Sequence, residues 1–109
     1  ILRNAGGRIT DDIIRSLVIS QQQMGTREVV ILHHTDCGAQ TFNNKDFVEH
    51  LRQELGVDAS GQDFLPFTDV RESVLEDMTL LRQSDLIPED IEISGAIYDV
   101  DTGRIHEVR

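Results

Sequence analysis

The chain has 109 residues, with 20 acidic side chains against 10 basic ones and a formal charge of −10. A chain of this length supports one modest core, burying roughly 60 to 70% of its unfolded surface, and its charge argues against nucleic acid and anionic membranes as partners, because no Lys/Arg cluster offsets the repulsion. Its single cysteine excludes an internal disulfide, and no apolar stretch is long enough for a bilayer span or a signal peptide, so the composition reads as a soluble protein of a reducing compartment.

The chain opens without Met on Ile1-Leu2, as though entered in the middle of a strand, which suggests a piece of a longer protein. Arg3-Asn4-Ala5-Gly6-Gly7 follows, its paired glycines suited to a turn with positive φ, and Thr10 is placed to cap a helix. Asp11 and Asp12 favour that helix's positive end, Ile13, Ile14, Leu17, Val18 and Met24 recur at helical spacing, and Gly25 ends the run. Glu28 to His33 is a near-continuous β-rich apolar stretch, the pattern of a strand covered on both faces in a parallel sheet.

Phe47, Val48, Leu51 and Leu55 mark a second helix, begun by Asn43 or Asn44 and closed by Gly56. After a polar segment, Phe67, Val70, Val74, Met78 and Leu81 mark a third, with Thr68 as its expected cap and Pro88 beyond its end. Ile91 to Val100 reads as a strand, and Asp101-Thr102-Gly103 as a tight turn into a final antiparallel strand, Arg104 to Val108. This order predicts an α/β layer fold with a mainly parallel central sheet flanked by helices and a C-terminal antiparallel hairpin.

In open α/β sheets, sites form beyond the carboxyl ends of the strands. There the sequence reads His33-His34-Thr35-Asp36-Cys37-Gly38. An imidazole and a thiolate three residues apart on a turn can address one ion, and zinc suits that mixed donor set, although a zinc site needs three or four protein ligands. Three readings of the local residues stand: His34 and Cys37 as metal ligands, Cys37 as a small buried hydrophobe beside a hydrogen-bonded histidine, or Cys37 as a nucleophile with His34 as its base. By strand alternation His33 faces away from His34 and is expected to pack. Asp36 is expected to accept hydrogen bonds from turn amides. His50 and His106 lack partners at ligand spacing and read as surface residues, and the Gly6-Gly7 turn, followed by two aspartates and no Lys, reads as structural and not as a phosphate loop.

Taken together, Arg3-Asn4-Ala5-Gly6-Gly7, the helix opening Thr10-Asp11-Asp12, and His34-Thr35-Asp36-Cys37-Gly38 after an apolar strand resemble the β-class carbonic anhydrases. The likeness continues through Ile93 to Tyr98 and the closing hairpin. It implies a cytoplasmic α/β protein, a homodimer or larger homo-oligomer, that hydrates carbon dioxide reversibly to bicarbonate at a zinc ion (Zn2+) held by Cys, His and Cys. The matching ligands here are His34 and Cys37. Family members also carry, upstream of the RNAGG segment, a strand ending in Cys-x-Asp-x-Arg, which provides the first zinc thiolate and an Asp-Arg pair. That segment is absent from these residues, so the resemblance names no catalytic acid, base or orienting group in this chain.

Residues 1–109 therefore read as a single, N-terminally truncated domain whose first central strand is missing. The family's strand lies between the one that opens this chain and the one leading to His34, so its loss is expected to leave two edges unpaired and a hole in the core. Activity is expected to be impaired in the chain as it stands. Two other functions fit the same residues: a non-catalytic dimerising or bicarbonate-sensing homologue, and a zinc hydrolase of another small cumulated molecule such as carbon disulfide.

Overall fold

Gly6 and Gly7 take φ values of 75° and 66°, a region in which an L side chain costs about 1–2 kcal/mol, and their turn lies against Leu32 and His33 of the first strand. The computed structural model describes residues 1 to 109. Helix α1 (Asp11–Met24) opens under Thr10, whose side chain accepts from the Ile13 amide, and closes at Gly25 with φ 74°. Strand β1 (Glu28–His34) follows. Helix α2 (Asn44–Leu55) is capped by the Asn43 side chain and ends at Gly56, also left-handed.

Helix α3 (Val70–Gln83) leads to strand β2 (Glu92–Asp99), which turns back into strand β3 (Arg104–Val108). The sheet runs β1-β2-β3, with β1 parallel and β3 antiparallel to the central strand. Helix α3 covers one face. Val74 and Leu81, both fully buried, pack there with Ile9, Ile31, Ile87, Ile91, Ile93 and Val108, and the apolar stripe of α1 joins at the side. Gly95 admits this packing: a Cβ at that position would lie 2.4 Å from Val74 Cγ1 and 2.5 Å from Met78 Sδ. No helix is long and apolar enough to cross a membrane.

Three expectations are corrected. Thr68 does not cap α3; Asp69 does, accepting from the Glu72 amide. Phe67 is not on the helix, because its amide donates to the Ala39 carbonyl at 3.1 Å and its ring is buried in the loop before α3. Ile1 and Leu2 form no strand and are exposed, for want of a neighbouring ladder to satisfy an extended backbone. The unpaired edges expected from a missing central strand thus reduce to one, on β1, where a cleft of about 1190 Å³ opens between Leu2, Ile13, Leu17, Val30 and Leu32. Val30 and Leu32 are 57% and 47% exposed beside it, so β1 is covered on one face and not on both as its apolar run suggested, because α3 packs on one side of the sheet only.

Candidate metal centre

Alternation along β1 separates the two histidines. His33 is buried on the α3 side and His34 exposed on the other. Beyond the strand the chain is held to β2: the Thr35 amide donates to Tyr98 O at 2.9 Å, and the Val100 amide donates to Thr35 Oγ1 at 3.0 Å. Asp36 then takes φ 53° in a bend of the chain. Its contribution is this left-handed backbone, which Asp tolerates better than most residues, and not the acceptance of turn amides expected from sequence. Its carboxylate stands exposed.

Cys37 follows, 6% exposed, at the head of a single 3-10 turn (Gly38–Gln40). The Ala39 amide donates to Cys37 Sγ at 3.4 Å. This polarity suits a sulfur that carries negative charge. His34 Nδ1 lies 2.7 Å from the carbonyl oxygen of Thr35, and since a carbonyl only accepts, Nδ1 is the protonated nitrogen and Nε2 keeps the lone pair. A backbone carbonyl fixing the far nitrogen is the usual support for an imidazole that ligates through the other one. The donor chemistry of the pair therefore fits zinc, with one borderline nitrogen and one soft sulfur. No third His, Cys, Asp or Glu of this chain joins them in a cluster able to hold a metal ion.

The remaining histidines lie elsewhere. His50 is exposed and stacks on Phe47 with ring centroids 6.4 Å apart, and His106 is exposed on β3.

Behind the motif lies a group of residues that the sequence did not single out. Arg8, His33, Ser73 and Asp77 are each 4% exposed or less. Arg8 forks onto Asp77, with Nε to Oδ2 at 2.9 Å and Nη2 to Oδ1 at 3.2 Å. His33 Nε2 faces Gly7 O at 2.9 Å and Asp77 Oδ2 at 3.2 Å, while Nδ1 meets Ser73 Oγ at 2.8 Å. Both oxygens near Nε2 only accept, so Nε2 donates. The only sequence signal for this network was the inward side of His33, because the hydrogen bonds that join it span 26 to 69 positions along the chain.

No family model matches the chain. Beta-carbonic anhydrase 1 of Mycobacterium tuberculosis is 38% identical to it over 108 residues, which are 99% of this chain and 66% of that protein. The crystal structure of a carbonic anhydrase from Streptococcus mutans superposes with a TM-score of 0.98 at 72% identity, across 100% of this chain and 66% of that one.

The chain belongs to the β-class carbonic anhydrases.

Within this β-class family the likeness extends to proteins with a different named substrate. Carbon disulfide hydrolase of Acidithiobacillus thiooxidans is 32% identical over 123 residues, 96% of this chain and 61% of that protein. The chain spans just under two thirds of the length of the curated β-carbonic anhydrase it matches.

Proposed function

We propose that this β-carbonic anhydrase chain forms the His34 and Cys37 half of a zinc centre that interconverts carbon dioxide and bicarbonate. The observation that carries the reading is the orientation of the two donors, with His34 Nδ1 engaged by Thr35 O and Cys37 Sγ accepting the Ala39 amide. Imidazole Nε2 and the Cys37 sulfur are then the groups free to ligate. Zinc, when bound, supplies the Lewis acidity that brings the ionisation of water into the neutral range, as carbonic anhydrase itself exemplifies.

The residues of this chain do the holding. The Thr35 bonds to β2 and the left-handed Asp36 backbone fix the start of the turn that carries Cys37, and burial of Cys37 keeps bulk water from the sulfur. The remaining ligands come from outside residues 1–109. A second copy covering the open edge and apolar flank of β1 fits Val30 and Leu32, since an exposed edge with apolar side chains invites pairing. We therefore read the protein as a homodimer or larger homo-oligomer, acting in the cytoplasm.

The test is elemental analysis and carbon dioxide hydration by stopped flow on the same preparation. About one zinc per chain with activity that falls on chelation is expected; zinc-loaded protein inert toward carbon dioxide overturns the substrate assignment. Likeness to carbon disulfide hydrolases favours one second reading, hydrolysis of that molecule, and sulfide release in a parallel assay distinguishes it. Zinc-free, inactive protein leaves a binding or bicarbonate-sensing role.

A further inference from the structure

The most deeply buried polar side chains of the chain are almost wholly removed from solvent and form no part of the donor pair, with Arg8 alone reaching an exposed partner, Glu76, at 3.2 Å. An ion pair taken this far from water is costly, and apolar residues of equal volume commonly stabilise a core as well or better. Arg8 and Asp77 nevertheless sit at 4% and 1% exposure with every buried side-chain nitrogen and oxygen partnered. What this pair does that apolar packing cannot is hold two separate segments at once.

We propose that Arg8 and Asp77 are positioning residues for the metal pair, setting the relative placement of His34 and Cys37 from behind the sheet. The inference rests on the reading of those two residues as zinc ligands. One arm runs to His34. Asp77 Oδ2 lies 3.2 Å from His33 Nε2, and the same ring is held by Gly7 O and Ser73 Oγ, so the peptide joining His33 to His34 cannot turn about the strand axis.

The other arm runs to Cys37. Arg8 Nη1 donates to Leu65 O at 3.1 Å, and its guanidinium lies 5.7 Å from the centroid of the Phe67 ring, which also stacks on His33 at 5.8 Å. The Phe67 amide donates to Ala39 O at 3.1 Å, and the Ala39 amide donates to Cys37 Sγ. Asp77 is thus joined to the His34 side through His33 and to the Cys37 side through Arg8. Lysine could keep the charge at position 8, but its single ammonium could not fork onto Asp77, reach Leu65 O and stack on Phe67 together.

The experiment is a cobalt titration of the intact protein, followed by the thiolate-to-cobalt charge-transfer absorption and the visible d–d bands, with zinc affinity measured by competition against a chromophoric chelator. Asp77→Asn is isosteric and removes the charge; Val74→Ala, one turn away and facing Gly95, controls for lost stability. Asp77→Asn is expected to weaken cobalt and zinc by on the order of tenfold or more and to shift the d–d envelope, while Val74→Ala keeps the wild-type spectrum and an affinity within about twofold of wild type. Where Asp77→Asn fails to fold, Arg8→Lys carries the test with the same expected loss.

Wild-type affinity and spectrum in the folded Asp77 or Arg8 variant overturn the proposal, as does an equal shift in Val74→Ala. Absence of a thiolate–cobalt band from the wild-type protein itself overturns the reading of Cys37 as a ligand, and the positioning role with it.

Discussion

Replacing Gly95 by alanine tests the close seat of α3 on the sheet. The new Cβ would stand 2.4 Å from Val74 Cγ1 and 2.5 Å from Met78 Sδ, about 1 Å inside ordinary contact. Met78 can swing away, being unbranched and flexible. Val74 cannot: it is fully buried on a helix, where a β-branched side chain has one strongly preferred rotamer. The helix must therefore lift. Overpacking of this kind costs about 1–3 kcal/mol, offset by about 0.5–1 kcal/mol from removing a glycine from a strand interior. A net loss of about 1–2 kcal/mol lowers Tm by roughly 5–15 °C for a chain of this size. Thermal unfolding followed by circular dichroism measures it. Val74→Ala alone should also destabilise, by about 1.5 kcal/mol or more for the two methyl groups lost, yet the double variant should lose less than the two singles together. Gly95→Ala unfolding at or above the parent temperature, or strict additivity in the double variant, would refute the steric argument.

Cys37→Ser should abolish stoichiometric zinc, since no other thiolate exists in the chain; unchanged metal by elemental analysis would sink the donor assignment. His106→Ala, on an exposed strand position, should leave metal content alone in the same assay. Leu32→Lys places a charge on the open flank of β1 and should shift sedimentation toward monomer, whereas a compact wild-type monomer would contradict the pairing proposed for that edge. The Asp63 carboxyl is held below the usual carboxylate range by the Asn44 side-chain amide and by the Leu65 amide. A depressed carboxylate contributes stability above its unfolded pKa of about 3.9 and loses it as pH falls through the folded value. The advantage of wild type over Asp63→Asn in denaturant titrations should therefore be present at neutral pH and vanish in acid. Asp63 is exposed, so screening keeps that advantage to no more than about 1 kcal/mol, and a gap that widens in acid would contradict the sign.

Local chemistry made much of the fold legible. Thr10, Gly25, Asn43 and Gly56 bound α1 and α2 where capping rules put them, because a cap acts on backbone groups within one turn of itself. The opposite faces of His33 and His34 follow from the two-residue period of a strand; the apolar run of β1 agrees with its parallel pairing to β2, but not with cover on both faces, since Val30 and Leu32 stand open. The start of α3 was not legible in the same way. Thr68 and Asp69 are both able caps, and the choice falls to Asp69 because Phe67 is drawn out of helical register to bond Ala39 O and lie against Arg8 and His33.

The sequence by itself determined the element order and the turn glycines and pointed to His34 and Cys37 as candidate donors, all of which depend on residues a few positions apart. The tertiary structure alone decided that Arg8 meets Asp77 across 69 positions and that a loop phenylalanine lies between the Cys37 turn and the core. Pairings of that span are set by how helix and sheet settle against each other. No local pattern of charge or hydrophobicity records them, since an arginine destined for a buried fork looks the same along the chain as one destined for water.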